Sequence, residues 1–549
     1  MKNRYEGGDL VVESLMSLGV EQIFSVSGGP LNSIYHAAAN NKLTNVHTRQ
    51  EQSACYMAEA AARLTGIPGV ALVTLGPAVT NSVTAAFLAQ HSGTPILIIG
   101  GQGNTAKFDR GVNMMAKHVR IMTPVTKFAA RVLDTERIPE YIEMAWRHMW
   151  SGRPGPAFLE IPVNVLSAAA VRQPPAGAPA PRGAGLAPGV ARDIAAALAK
   201  ARRPLFVVGD ETRWEMNSGL DPARVRAAIE RHGALFTSLR HARGIVDERH
   251  EQYCGFGCVF SNQTVARAFA EADLVFLLGH HLETDLDFGR AVSPEATVVQ
   301  CYPDVEYLGR NRRSDVATMA GVGAVTDALL DMEPMVPDRD WVAATAAAWR
   351  AEHEGLGGGD AADKPLHPVA VFDAVHAAMP EDTIYVAGMG NVDFWSDTRI
   401  RIRAPNSFIR CGQGGAVGPD VPYGIGARVA CPDRPVVVFV GDGGFGYHGI
   451  ELDTAERYGR PVIVVMMDDH GWGAIAMPQK RQYGGEFETD LAERDWAGFA
   501  TALGGFGARA ETVEEVGAAV RAAHASGKPA LVQVPVRKAL SPFMDAVGF

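Results

Sequence analysis

Short apolar runs alternate with longer amphipathic or alanine-rich segments along the whole chain, which is the pattern of repeated strand–helix units. The apolar runs that we interpret as strands are residues 21–26, 70–74, 95–99, 204–208, 274–278, 297–301, 383–386, 435–440 and 461–467. Strands that alternate with helices pair in parallel, and helices cover both faces of their sheet. The pattern therefore predicts an α/β protein made of three doubly wound domains with mainly parallel sheets.

Two segments interrupt this alternation and divide the chain. Residues 168–192 are rich in Pro, Ala and Gly, as in an extended linker, and residues 355–363 form a second, glycine-rich joint. We therefore expect domains at residues 1–170, 190–335 and 365–549, each of ordinary domain size.

Composition and charge narrow the range of partners. The chain has 549 residues, 51 of them basic and 61 acidic, and its net charge of −10 comes with no basic block. We therefore expect neither a nucleic acid nor a membrane as a partner. Because the chain also has no run of about 18 apolar residues and no signal-peptide pattern near its start, we expect a cytoplasmic protein.

The strongest chemical signal follows the last two predicted strands named above. The first strand leads into Gly441, Asp442, Gly443 and Gly444, and the second leads into Asp468-Asp469-His470-Gly471. A glycine turn alone is more often a plain strand–helix connection. Two parallel strands joined by a crossover helix, however, place their following turns side by side at the ligand edge of the sheet. Asp442 and Asp469 are therefore expected to share a cation, and carboxylates with a free carbonyl suit Mg²⁺.

These two turns resemble the diphosphate-binding motif of thiamine diphosphate enzymes, in which Gly-Asp-Gly is followed further along by Asn-Asn and a glycine. This chain has Asp468-Asp469 in place of Asn-Asn. The resemblance implies thiamine diphosphate and Mg²⁺ as cofactors, with Asp442, Asp469 and the carbonyl of Gly471 as metal ligands. The extra negative charge of Asp469 requires a nearby cation, such as Lys480 or Arg481, or partial protonation.

A second resemblance to the same family lies in the first domain. Residues 48–63 resemble the Arg-His-Glu-x-x-Ala-x-x-Met-Ala-x-Gly-x-Ala-Arg signature of the pyrimidine-binding domain, with Gln50 in place of the usual histidine. A glutamate in the first turn of a helix is ordinarily explained by the helix dipole. The resemblance instead implies that Glu51 hydrogen-bonds the aminopyrimidine ring and activates the cofactor. Residues 28–35 and 75–81 resemble glycine turns of acetolactate synthases.

The resemblance assigns roles to individual residues. The catalytic candidates are Glu51, Gln50 and Asn113. The cofactor-binding candidates are Thr80, Asn81, Gly390, Asn391, Gly415, Val417, Asp442, Gly443, Gly444, Asp469, Gly471 and Trp472. The candidates for the substrate pocket are Ser27, Gly28, His118, Ala474 and Met477.

In this family the pyrimidine site and the diphosphate site that faces it come from different subunits. The resemblance therefore implies a homodimer or homotetramer with active sites at the subunit interface. The middle domain has no Gly-x-Gly-x-x-Gly motif, and we do not expect FAD.

The resemblance implies an enzyme that forms or cleaves C–C bonds. Such an enzyme decarboxylates a 2-oxo acid or cleaves an acyloin and transfers the acyl group to an aldehyde or ketone, as acetolactate synthase and benzaldehyde lyase do. The direction, lyase or ligase, stays open. Two alternatives are an acyl-CoA decarboxylase or lyase resembling oxalyl-CoA decarboxylase, and a non-catalytic homologue that only binds cofactor. The retained Glu51 favours an enzyme, because a protein that only binds cofactor needs no proton relay.

Overall fold

The computed structural model describes residues 5–173, 177, 183–357 and 364–547. Parts of the predicted linker and of the second joint, residues 174–176, 178–182 and 358–363, lie outside the described residues. The described residues form three six-stranded sheets in which every strand pairing is parallel. The prediction of three doubly wound α/β domains is thereby confirmed.

The first sheet has the strand order β2-β1-β3-β4-β6-β5. Its strands are β1 (Gln22–Ser25), β2 (Thr44–His47), β3 (Gly69–Val73), β4 (Ile96–Gln102), β5 (Phe128–Arg131) and β6 (Ala157–Pro162). The helices around it are α1 (Gly7–Ser17), α2 (Asn32–Asn41), α3 (Glu51–Thr65), α4 (Pro77–Asn81), α5 (Val83–His91), α6 (His118–Met122), α7 (Ile138–Trp150) and α8 (Val163–Leu166).

The second sheet has the order β12-β11-β10-β7-β8-β9. Its strands are β7 (Pro204–Val208), β8 (Leu235–Ser238), β9 (Tyr253–Phe256), β10 (Leu274–Leu278), β11 (Thr297–Cys301) and β12 (Val316–Thr318). The helices are α9 (Pro188–Leu198), α10 (Glu211–Met216), α11 (Pro222–His232), α12 (Gln263–Glu271), α13 (Val322–Asp331) and α14 (Arg339–Gly355).

The third sheet has the order β14-β13-β15-β16-β18-β17. Its strands are β13 (Ile384–Ala387), β14 (Phe408–Arg410), β15 (Val436–Gly441), β16 (Ile463–Asp468), β17 (Phe506–Arg509) and β18 (Ala530–Pro535). The helices are α15 (Pro368–Ala378), α16 (Asn391–Arg399), α17 (Asp420–Ala430), α18 (Asp442–His448), α19 (Leu452–Arg457), α20 (Gly473–Tyr483), α21 (Trp496–Ala502), α22 (Val513–Ser526) and α23 (Pro542–Val547).

Short 3₁₀ helices complete the secondary structure of the described residues. They are Gly29–Leu31, Thr105–Lys107, Thr123–Val125, Thr135–Arg137, Arg240–Ala242, Thr284–Gly289, Val305–Tyr307, Gly412–Gly414 and Gly449–Glu451. None of the helices that the structure describes combines the length and the apolar character that crossing a membrane requires.

Helix α3 of the first domain packs against α17 of the third, and this contact fixes the start of α3 relative to the third domain. The approach is so close that a side chain at Gly426 would meet the backbone oxygen of Met57 at 2.4 Å. Small residues are therefore required in the contact, which explains the alanine-rich sequence of α3. Glu59 is buried there, pairs with Arg63 and accepts a 2.6 Å hydrogen bond from the hydroxyl of Tyr423.

Candidate active site

The two acidic turns of the third domain lie next to each other. Strand β15 ends at Gly441, which is paired with Met467 of β16, and helix α18 begins at Asp442. Strand β16 ends at Asp468, so Asp469 is the first residue of the neighbouring turn. This is the arrangement expected at the carboxyl edge of an open parallel sheet.

A cavity of about 450 Å³ opens at this edge of the third sheet. Ten of the predicted site residues line it: Gly390, Asn391, Gly415, Val417, Gly443, Gly444, Asp469, Gly471, Trp472 and Ala474. The lining is mainly apolar, and Arg537 contributes a positive charge. All of these residues belong to the third domain, and Asp442 begins α18 beside them without lining the cavity itself.

Close packing at two glycines shapes the cavity. A side chain at Gly443 would come within 2.7 Å of the indole of Trp472. A side chain at Gly473 would come within 2.0 Å of Oδ2 of Asp469. The sequence interpretation did not select Gly473, although a glycine so soon after an acidic turn is a signal for close backbone approach.

The electrostatics of the two acidic turns favour a cation. Asp442 is 4% exposed, and its Oδ1 has no hydrogen-bond partner among the described residues. Burial, and then the charge of Asp468, raises the pKa of Asp442 to about 6. Burial, and then the charge of Asp442, raises the pKa of Asp469 to about 7, while Lys538 acts in the opposite direction. Two carboxylates that are costly to ionise together gain stability from a shared cation.

The protein supplies only some of the oxygen ligands that Mg²⁺ requires, and a bound diphosphate would have to supply the others. No group of three or more His, Cys, Asp and Glu side chains in the described part of the chain is arranged to hold a metal ion. Two carboxylates and a backbone carbonyl form a partial set of hard oxygen ligands, which is typical for Mg²⁺ that is also held by phosphate. The residues present therefore fit a metal ion that binds together with a diphosphate.

The two adjacent aspartates have different environments. Oδ2 of Asp468 accepts a 2.7 Å hydrogen bond from Gln533, and Oδ1 accepts one of 3.2 Å from the backbone N–H of His470. The imidazole Nδ1 of His470 also lies 2.9 Å from Oδ1 of Asp468. Asp468 is therefore engaged within the protein, whereas Asp469 lines the cavity.

The side chain of Asn391 is engaged by the C-terminal segment, although Asn391 is part of the cavity lining. Its carboxamide nitrogen donates to the carbonyl of Ala539, and its Oδ1 accepts a 3.0 Å hydrogen bond from the backbone N–H of Ser541. Both ends of the carboxamide thus hold the C-terminal segment and are not open for a diphosphate. The same segment places Phe543 on the ring of Phe394 at 4.2 Å and against the cavity. The sequence interpretation missed this segment. The short apolar stretch after β18 could have indicated that the C-terminal end of the chain packs against the third domain.

The first-domain candidates form a second group around the start of α3. Asn81 donates a 3.0 Å hydrogen bond to Oε2 of Glu51, which is half-buried. The hydroxyl of Thr80 donates to the carbonyl of Pro77 at 3.0 Å, so it stabilises its own turn. Neither Glu51 nor Asn81 lines the cavity of the third domain.

His118 differs from the expected pocket residue. It is fully buried, and its Nδ1 lies 2.8 Å from Oε2 of Glu160. Its Nε2 accepts a 2.8 Å hydrogen bond from the backbone N–H of Gly76. Because both ring nitrogens are used inside the domain, His118 supports the turn at Gly76 rather than a substrate. We do not retain it as a pocket residue.

The other pocket candidates are not gathered into one site by the single chain. Ser27 and Asn113 are exposed, and Gly28 is half-buried against the side chain of Thr74. Met477 is half-buried and does not line the cavity.

Comparison with known proteins identifies three matching family models. They are the thiamine pyrophosphate enzyme N-terminal TPP-binding domain at residues 5–121, the central domain at residues 191–329 and the C-terminal TPP-binding domain at residues 388–534. Each of the three matched segments contains strands of a different one of the three sheets.

Several curated proteins are similar along most of their length. The catabolic acetolactate synthase of Raoultella terrigena is 27% identical over 541 residues, with 96% of this chain and 95% of the relative covered. A probable 2-ketoarginine decarboxylase of Pseudomonas aeruginosa is 32% identical, with 85% and 83% covered. The 2-hydroxyacyl-CoA lyase 2 of Homo sapiens is 28% identical, with 91% and 84% covered.

Proposed function

Since the chain belongs to the thiamine pyrophosphate enzymes, we propose that it decarboxylates a 2-oxo acid and ligates the remaining acyl group to an aldehyde or ketone. The chain is a thiamine diphosphate-dependent enzyme that makes or breaks C–C bonds. The proposal adds the metal ion, the roles of individual residues, the assembly and the substrates.

The observation that carries the proposal is the cavity between the two acidic turns. Asp442, Asp469 and the carbonyl of Gly471 would hold Mg²⁺, and Gly443 and Gly444 of the cavity lining would border the diphosphate. The unpartnered Oδ1 of Asp442 supports this assignment, since a buried carboxylate oxygen requires a partner. Val417, in the same lining, would contact the apolar part of the cofactor.

Glu51 is the proposed proton-transfer residue. Thiamine diphosphate, when bound, supplies a nucleophilic carbon and an electron sink. Asn81 holds Oε2 of Glu51, so Oε1 is the oxygen that we expect to carry the proton shared with the pyrimidine ring. Gln50, which precedes it, is a proposed positioning residue.

The proposed active unit is a homodimer, alone or within a homotetramer. Glu51 belongs to the first domain, while all residues that line the third-domain cavity come from residues 368–544. A partner chain that presents its own Glu51 to this cavity would complete the site, as the resemblance implies. Two complete sites would then form per dimer.

The donor is proposed to be a small 2-oxo acid. Relatives are named as acetolactate synthases and a 2-ketoarginine decarboxylase, and both support this class. A 2-hydroxyacyl-CoA is the second candidate, supported by the relative named as a 2-hydroxyacyl-CoA lyase.

A substrate panel tests the proposal. The protein would be incubated with Mg²⁺, thiamine diphosphate, and pairs of 2-oxo acids and aldehydes or ketones, and products would be identified by mass spectrometry. A separate arm would supply 2-hydroxyacyl-CoA compounds. A ligated product that needs both cofactors supports the proposal. Cleavage of the acyl-CoA compounds alone would replace it with the second candidate, and cofactor binding without any turnover would favour a non-catalytic homologue.

A further inference from the structure

A buried histidine joins the first and third domains next to Glu51. His448 is the last residue of α18 and is 3% exposed. Its Nε2 lies 2.7 Å from Oε1 of Gln50 in the first domain, and its Nδ1 lies 2.9 Å from the carbonyl oxygen of Gly418. The ring also packs edge-on against Tyr56 of α3, with 5.7 Å between ring centroids.

The hydrogen-bond roles of the ring follow from its partners. The carbonyl oxygen of Gly418 can only accept, so Nδ1 of His448 must carry a hydrogen. Burial lowers the pKa of His448, which favours the neutral ring. In a neutral ring with hydrogen on Nδ1, Nε2 is an acceptor and needs a donor. The carboxamide of Gln50 supplies this donor when its oxygen and nitrogen exchange places, so that the nitrogen and not Oε1 faces Nε2.

Gln50 transmits this contact to the helix that begins at Glu51. It is the N-cap residue of α3, its backbone is extended, and its side chain makes no capping hydrogen bond. The side chain is therefore available for the bond to His448. A fixed N-cap residue fixes the first helical residue, which is Glu51.

The other side of the ring contacts the segment that leads to the cofactor cavity. Gly418 has φ of +95°, and its Cα lies so close to the ring that a side chain would meet Nδ1 at 2.9 Å. The residue before it, Val417, lines the cavity. The resemblance expects a histidine at position 50, whereas here an imidazole of the third domain contacts Gln50.

We propose that His448 is a positioning residue that holds the Glu51 end of α3 through Gln50 and the Val417 segment through Gly418. The proposal rests on the proposed function, in which Glu51 and Val417 of one chain serve two different sites of a dimer. Each bond of the ring then supports a different property. The bond to Gln50 supports turnover, and the bond to Gly418 supports cofactor binding.

Two substitutions separate these bonds. The amide nitrogen of asparagine takes the place of the imidazole Nδ1, so His448→Asn keeps the bond to Gly418 and removes the one to Gln50. The amide of glutamine reaches the place of Nε2, so His448→Gln keeps the bond to Gln50 and removes the one to Gly418. We expect His448→Asn to lower kcat about tenfold with little change in cofactor Kd, and His448→Gln to show the reverse.

Three further measurements distinguish positioning from a general loss of stability. Hydrogen exchange of residues 48–57 should be faster in His448→Asn and unchanged in His448→Gln. The double variant Gln50→Ala with His448→Asn should lose no more kcat than either single variant, since both remove the same bond. Thermal unfolding would confirm that all variants are folded.

Proportional losses of kcat and cofactor affinity in both variants would overturn the proposal, as would additive losses in the double variant. If the parent protein has no turnover with any substrate, the proposed function fails. The positioning of α3 is still tested in that case, because hydrogen exchange and calorimetric cofactor binding need no turnover.

Discussion

Asn81 donates a 3.0 Å hydrogen bond to Oε2 of Glu51 and thereby joins the last residue of α4 to the first residue of α3. The position of Asn81 depends in turn on the turn at Gly76, where φ is +62°. His118 holds that turn by accepting the Gly76 N–H, and Glu160 holds His118. The buried His118 thus contributes to the placement of Glu51 without facing a substrate.

The first prediction concerns Glu51. We expect Glu51→Gln to lower kcat by at least about 10²-fold, the scale for loss of acid–base assistance. The fold and the third-domain cavity should stay intact, because glutamine has nearly the same shape and Glu51 does not line that cavity. Steady-state kinetics and calorimetric binding of the cofactor measure the two effects.

Asn81→Ala is the comparison variant for Glu51→Gln. It removes the hydrogen bond that orients the carboxylate but leaves the proton-carrying group, so we expect a loss of about tenfold. A Glu51→Gln variant with nearly normal kcat would show that another group activates the cofactor.

The second prediction concerns Asp469. We expect Asp469→Asn to bind cofactor as well as the parent but at lower Mg²⁺ concentration, because one negative charge beside Asp442 is removed while an oxygen ligand remains. Asp469→Ala should lose cofactor binding. Calorimetric titration with thiamine diphosphate across a Mg²⁺ series measures both variants.

Asp468→Asn provides a matched control for the variants of Asp469. Its oxygens are held by Gln533 and His470, so Asp468→Asn removes a neighbouring negative charge without removing a metal ligand. The variant should therefore keep binding cofactor under conditions in which Asp469→Ala does not. If Asp469→Ala retained the parent's affinity and metal dependence, the second carboxylate ligand would lie elsewhere.

The third prediction concerns Lys538 and the pH dependence of metal binding. A protonated carboxyl does not bind Mg²⁺, so affinity should fall as the pH drops through about 7, where Asp469 takes up a proton. Lys538 lowers the pKa of Asp469. Lys538→Met should therefore raise this pKa and move the loss of affinity to higher pH. Cofactor titrations at fixed Mg²⁺ between about pH 5.5 and 8.5, a range that brackets this pKa, would measure the pH at which half of the affinity is lost.

Lys480→Met is the matched control for Lys538→Met. Both lysines pair with Glu486, at 3.7 Å for Lys480 and 2.8 Å for Lys538. The Lys480 side chain is 70% exposed, and its charge is not among the main causes that set the pKa of Asp469. An equal shift of the midpoint in both variants would mean that net charge, and not the position of Lys538, sets the pH dependence.

Local sequence patterns were sufficient for the fold and for the adjacency of the two acidic turns. The apolar runs at residues 435–440 and 461–467, which lead into Gly441 and Asp468, predicted adjacent strands, and adjacency placed both acidic turns at one sheet edge. Both predictions depend only on the crossover connection between parallel strands, whose handedness is the same in nearly all proteins.

Contacts between distant residues could not be predicted in the same way. The sequence favoured Lys480 or Arg481 as the cation for Asp469 because they follow it closely. In the structure, however, Arg481 pairs with Asp545, and the cation that acts on Asp469 is Lys538, after the next strand of the sheet. The pair of Gln50 and His448 likewise joins two domains and has no local signal.

The fourth prediction tests whether two chains share each active site. Glu51→Gln impairs the first-domain half of a site, and Asp442→Ala impairs the third-domain half. In a mixed dimer, one site carries both defects and the other carries none. Equal amounts of the two inactive variants should therefore recover about a quarter of the parent activity after subunit exchange, since about half of the dimers are mixed and each has one intact site.

A second mixture makes this test specific. Asp442→Ala and Asp469→Ala both damage the third-domain half, where the charge of Asp442 raises the pKa of Asp469, so no mixed dimer of these variants has an intact site. Mass spectrometry of a mass-labelled variant would confirm that subunits exchange in both mixtures. Recovery in the first mixture alone means that Glu51 of one chain serves Asp442 of the other. Exchange without recovery in the first mixture would mean that each chain completes its own site, and Glu51 would then have to reach the cavity within the chain by a movement of α3 against α17.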